Sequence, residues 1–314
     1  IMDVRFWGTR GSIPTPLTPQ QVRAKIEAAV QRITPRDLES PDSRERFVAS
    51  LPPFLFGTVG GNTSCVEVRD SAGNLCLLDA GTGIREYAKH GVPAQDNTYH
   101  ILLSHCHWDH LQGLPFFDDA YRGDCKIIFY SHFPAARRLL VEQMKKPYFP
   151  VQFDTSFHAD ISFRCIVPGE PFQIGNMTIV SKKMSHPGNS YSYAFHENGK
   201  KVIYATDVEL SDKDFAQTES NQRFFENTDA IILDSQYTVE EALYKENWGH
   251  SAFSYAVDFA SQWDIGKLYL FHHEPTYDDK KIFSILQSAQ WYAQYVAHTQ
   301  TTLCLAQEGD GFSL

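Results

Sequence analysis

The sequence has little basic charge and no long apolar run. Its 314 residues include 28 Lys and Arg against 38 Asp and Glu, which gives a formal net charge of −10. A chain this acidic is poorly suited to holding nucleic acid by neutralising phosphates. We therefore expect a small-molecule substrate and no long nucleic acid. No apolar run approaches the roughly 18 residues of a membrane span, so no membrane association is expected.

Cysteines are also few and unpaired in sequence. The six are scattered with no CxxC pair, which predicts reduced thiols and excludes a disulfide framework. Near the N-terminus, Asp3 and Arg5 interrupt the position where a signal peptide needs its apolar segment. Both features predict a cytoplasmic protein. The composition is 42% hydrophobic and 13% aromatic, enough for a full core, which excludes disorder as the main state.

Short apolar runs bounded by Gly, Asn, Asp or Pro recur along the chain and predict strands. Helical patterns lie between some of them, at 135–144, 251–263 and 278–297. An early strand-rich part followed by alternating strands and helices predicts an α/β fold of two sheets with helices outside. We expect one domain, 1–314. The predicted strands cover residues 2–7, 64–68, 75–78, 99–104, 126–130, 177–180, 191–195, 201–205, 230–233 and 267–271.

A helical insertion at 17–57 interrupts the early strands. Its first predicted helix opens with a capping box, Thr18-Pro19-Gln20-Gln21, and its second covers 41–51 with Ser40 as the cap. The sequence leaves two interpretations open: a surface addition packed on the core, or a lid or dimer element beside the active site. One stripe of the first helix carries Val22, Ile26, Val30 and Ile33.

The strongest chemical signal is His105-Cys106-His107-Trp108-Asp109-His110, directly after a predicted strand. In extended backbone, residues i and i+2 point the same way, so His105 and His107 can hold one ion, while Asp109 and His110 turn toward a second. Nitrogen and carboxylate ligands favour zinc or a similar transition metal over calcium or magnesium. The Cys106 side chain should point the opposite way and pack. Other strand ends carry further candidate ligands: His186, Asp207 and His272.

With Leu77-Leu78-Asp79-Ala80-Gly81-Thr82-Gly83 added, these motifs resemble the metallo-β-lactamase superfamily over nearly the whole chain. The resemblance implies an αββα sandwich with a dinuclear site at the sheet edges. It implies two divalent ions, with zinc favoured and manganese or iron as alternatives. Asp79 resembles the family's carboxylate that orients ligands without binding metal. The implied ligands are His105, His107 and His186 for one ion, Asp109, His110 and His272 for the other, and Asp207 as a bridge.

Three features resemble the tRNase Z and cyclic phosphodiesterase branch of that superfamily. They are the Gly-rich opening at 6–12, the segment Gly60-Gly61-Asn62-Thr63-Ser64-Cys65, and Gly249-His250-Ser251. The resemblance implies that His250 assists proton transfer with Asp234 as its acidic partner, and that the protein is a homodimer. His273 is an alternative to His272, which the strand end favours. The candidate catalytic residues are Asp109, His250 and Asp234; Asn62, Thr63 and Ser64 either donate hydrogen bonds to the substrate or form a plain turn.

The expected function is a binuclear phosphodiesterase in which a metal-bridged hydroxide attacks a small cyclic phosphodiester. Cyclic nucleotides fit best and cyclic ribose phosphates come second. Three alternatives stay open at this point. They are a lactonase or other acyl hydrolase of the same superfamily, a tRNase Z-like RNA endonuclease, and a non-hydrolytic sensor that only binds its ligand.

Overall fold

The apolar runs form fourteen strands in a computed structural model that describes residues 1–314. All ten predicted strand regions overlap observed strands. In chain order the strands are β1 (Asp3–Gly8), β2 (Cys65–Arg69), β3 (Leu75–Leu78), β4 (Thr98–Leu102), β5 (Lys126–Ser131), β6 (Asp160–Cys165), β7 (Phe172–Ile174), β8 (Met177–Met184), β9 (Ser190–Glu197), β10 (Lys200–Ala205), β11 (Ala230–Asp234), β12 (Lys267–Phe271), β13 (Thr302–Leu305) and β14 (Gly311–Ser313).

The strands make two mixed sheets of seven. The first has the order β14-β1-β2-β3-β4-β5-β6 and the second β13-β12-β11-β10-β9-β8-β7. Strands β3 to β6 run parallel in the first sheet, and β10 to β13 run parallel in the second. Parallel strands bring their carboxyl ends to one edge, where ligand sites form in such sheets.

Helices cover the outer faces, and the resulting αββα sandwich confirms the predicted fold. A cluster of 22 buried residues, including Phe6, Tyr193 and Tyr204, joins the facing sheets, while two further clusters lie under the outer helices. No helix is both long enough and apolar enough to cross a bilayer. The helices are α1 (Pro19–Val30), α2 (Pro41–Ser50), α3 (Pro53–Phe56), α4 (Gly83–His90), α5 (Ala136–Gln143), α6 (Phe153–Ser156), α7 (Asp212–Phe215), α8 (Glu219–Phe225), α9 (Val239–Tyr244), α10 (Phe253–Gln262) and α11 (Asp279–Tyr295).

Four strands were missed by the sequence pattern: β6, β7, β13 and β14. Two of them, β7 and β14, have only three residues each, too short to show a period. Of the other two, β6 is partly exposed along its length and β13 has only four residues. All four are the outermost strands of the two sheets, so each pairs with a single neighbour. Edge strands are half-solvated, so their sequences carry little apolar signal.

The segment 17–57 contains helices α1, α2 and α3 between β1 and β2. The Thr18 capping box at the start of α1 is present, as predicted. The apolar stripe of α1 faces solvent: Val22, Ile26 and Val30 are 42%, 58% and 63% exposed. The helix is held instead through Lys25, whose ammonium donates to the Phe54 carbonyl and pairs with a carboxylate at the start of α11. A polar tether therefore helps to fix this helix, while most of its apolar stripe stays exposed.

Candidate metal centre

All seven predicted ligands meet where the carboxyl ends of the two sheets converge. His105, His107, Asp109 and His110 lie on the loop after β4, and His186, Asp207 and His272 follow β8, β10 and β12. They form two groups, in each of which the candidate ligand atoms lie within 4.8 Å of one another. Asp207 belongs to both. The groups are His105, His107, His186 and Asp207, and Asp109, His110, Asp207 and His272.

The two oxygens of Asp207 face different groups. Oδ2 lies 3.6 Å from His105 Nε2 and 3.7 Å from His186 Nε2. Oδ1 lies 3.1 Å from His110 Nε2 and 3.2 Å from His272 Nε2. Two ligand atoms at tetrahedral positions, each about 2.1 Å from one zinc ion, are roughly 3.4 Å apart. The spacing thus fits one carboxylate shared between two ions.

The donor set itself fits a metal. The Nε2 atoms of His105, His110 and His272 are buried and have no hydrogen-bond partner of good geometry. An unpaired buried polar atom is costly, so three of them converging on carboxylates indicate ligand positions. His107 Nδ1 lies 3.1 Å from His186 Nε2, and this contact places both imidazoles in the first group. The chain therefore could hold divalent metal at each group.

Hydrogen bonds from the opposite ring nitrogens orient the ligands. His110 Nδ1 donates to Asp79 Oδ2 at 2.8 Å, and His186 Nδ1 donates to the Gly249 carbonyl at 2.8 Å. His272 Nδ1 lies 3.2 Å from Gln236 Oε1. Each bond places the proton on Nδ1 and leaves the Nε2 lone pair free for a metal, which is the usual outer support of such sites.

Asp79 organises this support, as predicted for an orienting carboxylate. It is fully buried, and besides His110 it accepts bonds from the backbone and hydroxyl of Ser104, both at 2.7 Å, and from the Tyr204 hydroxyl at 2.8 Å. The Ser104 hydroxyl also lies 3.0 Å from His105 Nδ1. One carboxylate thereby fixes ligands of both groups.

Two tight approaches bring the surrounding loops against the ligands. A Cβ on Gly11 would lie 2.6 Å from the His272 ring, and a Cβ on Gly249 would lie 2.2 Å from His186 Nδ1. The next residue after Gly11, Ser12, donates its backbone N–H to Asp109 Oδ2 at 2.8 Å. The Gly-rich opening therefore supports the second group directly.

The protonation states of the three histidines in the first group suit metal binding. Burial lowers the pKa of His105, and likewise lowers the pKa of His107 and of His186, so these rings are neutral at pH 7. Burial opposes ionisation of Asp109 and Asp207, but the adjacent imidazoles outweigh it and hold the pKa of each carboxyl below its ordinary value. Neutral imidazoles and ionised carboxylates are the forms that ligate metal. His110 differs: burial lowers its pKa, but the carboxylates of Asp207, Asp109 and Asp79 outweigh burial and raise it, so a bound ion would have to displace its proton.

His250 and Asp234 lie beside the ligands as an ion pair. His250 Nδ1 is 2.6 Å from Asp234 Oδ2, and its ring stacks on that of His272 with centroids 4.9 Å apart. Burial lowers the pKa of His250, but the Asp234 carboxylate outweighs that effect and raises it to about 9. The imidazole is therefore protonated at neutral pH, next to the two groups.

Most of the other predicted residues have partners within the protein. His273 donates from Nε2 to the Ala306 carbonyl at 2.8 Å, so of the two histidines it is His272 whose Nε2 faces the second group. Cys106 packs against the apolar cluster under the first sheet, as predicted, and burial raises the pKa of its thiol to about 11. Asn62 bonds to Glu308 through its backbone and amide nitrogens.

The next two residues, Thr63 and Ser64, are fully buried. Thr63 exchanges hydrogen bonds with Thr82, its backbone N–H donating at 2.9 Å and its hydroxyl accepting at 2.8 Å. A substrate-binding role for Asn62, Thr63 and Ser64 stays a prediction. The contacts of Asn62 and Thr63 favour the alternative of a structural turn, whereas the buried hydroxyl of Ser64 has no hydrogen-bond partner.

Sequence reasoning missed several supporting residues. Gln236, Tyr204 and the hydroxyl of Ser104 all hold ligands or the Asp79 carboxylate. Ser104 stands inside the recognised motif, and Tyr204 lies three residues before Asp207. Their positions are visible in the sequence, but the pairing across two sheets that gives them a role is not.

The fold and the donor set together define a metal-dependent hydrolase of the metallo-β-lactamase type. Residues 74–273 match the family model described as the β-lactamase superfamily domain. The chain belongs to this superfamily, which confirms the resemblance drawn from its motifs.

Comparison with individual proteins gives distant relatives. The chain is 22% identical over 260 residues to Ribonuclease Z of Oceanobacillus iheyensis, covering 68% of this chain and 83% of that protein. The crystal structure of the metallo-β-lactamase fold protein YhfI from Bacillus subtilis has a TM-score of 0.66 at 17% identity, over 99% of this chain and 98% of that one. Zn²⁺-bound PqqB from Methylobacterium extorquens has a TM-score of 0.65 at 13% identity, over 99% and 100%. At these identities the two structures support the fold.

Proposed function

We propose that the chain is a binuclear phosphodiesterase that cleaves small cyclic phosphodiesters, with cyclic nucleotides as the first candidates. The observation that carries the proposal is Asp207, which turns one oxygen to each ligand group while the protonated His250 lies beside both. Zinc is the favoured metal, because the ligands are imidazole nitrogens and carboxylate oxygens. Manganese and iron are the alternatives.

Divalent ions held there would supply a nucleophile from water and Lewis-acid stabilisation of the phosphoryl oxygens. The chain's own carboxylates at the site, Asp109 and Asp207, carry two negative charges against the four positive charges of two such ions. The remaining positive charge favours an anionic phosphodiester even within an acidic protein.

His250 is the candidate proton donor. When the phosphorus–oxygen bond breaks, the departing alkoxide needs a proton, and a positioned acid typically contributes 10²- to 10⁴-fold to such a step. Asp234 bonds to Nδ1 and supports the doubly protonated ring, which leaves the Nε2 proton for transfer. The alkoxide thereby leaves as an alcohol, and the histidine becomes neutral.

RNA is the second candidate substrate, favoured by the similarity to Ribonuclease Z, since RNA cleavage also breaks a phosphodiester. Two observations favour the small substrate. The net charge of −10 opposes binding of a polyanion. Basic side chains between His110 and His186 are partly neutralised, since Arg137 pairs with Asp154 at 2.5 Å and Arg138 lies 4.0 Å from Glu142. A cytoplasmic homodimer remains a prediction.

The test is hydrolysis of 3′,5′- and 2′,3′-cyclic nucleotides, a precursor tRNA and a lactone by the zinc-loaded protein. Cyclic nucleotide turnover should be lost in Asp207→Ala. His250→Ala should lower kcat by about 10²- to 10⁴-fold for nucleotides. The loss should be much smaller for a p-nitrophenyl phosphodiester, whose leaving group needs no proton. Turnover of the lactone or tRNA alone would overturn the proposal.

A further inference from the structure

Two exposed tryptophans stand next in sequence to residues of the candidate metal centre or of its hydrogen-bonded support. Trp108 is 73% exposed and Trp248 is 62% exposed, whereas Trp7 and Trp263 are buried. A large aromatic ring in water forgoes the burial that normally stabilises it, and exposed aromatics are common at binding surfaces. Neither ring is needed by the metal groups or by the His250 pair.

Both tryptophans flank the same imidazole. His186 Nε2 faces the ring of His107, the residue before Trp108, at 3.1 Å. On its other side, His186 Nδ1 bonds to the carbonyl of Gly249, the residue after Trp248, at 2.8 Å. Consecutive Cα atoms are only 3.8 Å apart. The Cα atoms that carry the two indoles are therefore each one residue away from backbone or side chain that contacts His186, on its two sides.

The backbone under each indole is fixed by hydrogen bonds. The Trp108 carbonyl accepts from the backbone of Leu111 and Gln112 at 3.0 and 2.8 Å. Beside Trp248, the backbone N–H groups of Asn247 and Gly249 donate to the two carboxylate oxygens of Glu209. Rings on anchored backbone lose less entropy on stacking than rings on a free loop, which favours binding.

We propose that Trp108 and Trp248 form a stacking rim that binds the nucleobase of the substrate while its phosphodiester lies at the ligand groups. This inference rests on the proposed function and narrows the substrate class to phosphodiesters that carry a base. A base is the occupant that the chemistry fits, because the flat faces of indole and base stack without requiring hydrogen-bond readout. The rim adjoins the group that favours an anion, so one molecule can reach both. A cyclic ribose phosphate without a base would contact only the ligand groups and not the rim.

The test compares binding of AMP and ribose 5-phosphate, which differ by the base, to the zinc-loaded protein by calorimetry and tryptophan fluorescence. The wild type should prefer AMP. Trp108→Ala and Trp248→Ala should each reduce that preference about tenfold, as expected for one base stacked on one aromatic ring. Trp291→Ala is the matched control, because Trp291 is 59% exposed on α11, and it should leave the preference unchanged.

Binding separates this inference from the reaction, because it requires no turnover. Equal affinity of the wild type for AMP and ribose 5-phosphate would overturn the rim even if cyclic nucleotides are hydrolysed. An unchanged preference in both variants would also overturn it. A loss of dimer in Trp108→Ala or Trp248→Ala, measured by light scattering, with the preference intact would assign the two rings to contact between copies instead.

Discussion

Replacing Asp79 with asparagine should weaken metal binding and stability together. The carboxylate accepts four hydrogen bonds: from the backbone and hydroxyl of Ser104, from His110 and from Tyr204. Three of these reach Oδ2 and one, from the Ser104 N–H, reaches Oδ1. An amide can keep the oxygen at the Oδ2 position, but its NH₂ then faces the Ser104 N–H.

That substitution leaves one buried backbone donor unpaired, which costs about 1–3 kcal/mol. The three remaining bonds also lose the strength that an ionised acceptor gives them. We expect Asp79→Asn to lower the free energy of unfolding by about 2–4 kcal/mol. Loss of an orienting partner typically weakens metal affinity by about 10- to 100-fold, and the same loss is expected here because His110 is no longer held by a charge.

Asp70→Asn is the matched control. Asp70 is also buried and also accepts four hydrogen bonds, from Ala72, Asn176 and the backbone and amide of Asn74. It follows β2 at the sheet edge away from the ligands. Both variants should lose stability in urea unfolding, but only Asp79→Asn should lose zinc affinity in competition with a chelator. Equal zinc affinity in the two variants would refute the orienting role of Asp79.

Three further outcomes follow from the structure. Zinc at about 100 times its dissociation constant should stabilise the folded protein by about 2.7 kcal/mol per site, and calorimetry should show the melting temperature falling when EDTA is added. Gly11→Ala should lower zinc affinity, measured by chelator competition, because a Cβ would meet the His272 ring at 2.6 Å; unchanged affinity would contradict the close approach. Burial raises the pKa of Asp70, but its hydrogen bonds outweigh burial and lower it. The stability that Asp70 adds over Asp70→Asn should therefore be present above about pH 4 and shrink as the pH falls further, in unfolding curves across pH.

The sequence was sufficient to predict the candidate ligands that lie close together in the chain or at strand ends. His105 to His110 stand on one loop after one strand, so their shared purpose is visible without a structure. His186, Asp207 and His272 were identified because each directly follows an apolar run, and the carboxyl ends of parallel strands meet at one edge. Asp79 was assigned its supporting role only through the family resemblance.

The supporting contacts that the sequence did not predict join segments that are far apart in the chain. Gln236 supports His272 from the loop after β11, and no sequence spacing reports that pairing. The ion pair between Lys25 and the buried carboxylate of Asp279 helps to hold the insertion, and it joins residues 254 positions apart, so local spacing does not report it. The buried turn at Thr63 could not be distinguished from a phosphate-binding turn, since its partner Thr82 lies 19 residues away.

The most direct test is to titrate the metal-free protein with zinc and measure, in the same samples, bound metal by elemental analysis and hydrolysis of a cyclic nucleotide. Sharing of Asp207 between two groups predicts that two equivalents bind per chain and that turnover requires the second. Asp207→Ala should retain neither full occupancy nor turnover. Full turnover at one equivalent, or in Asp207→Ala, would contradict a binuclear phosphodiesterase.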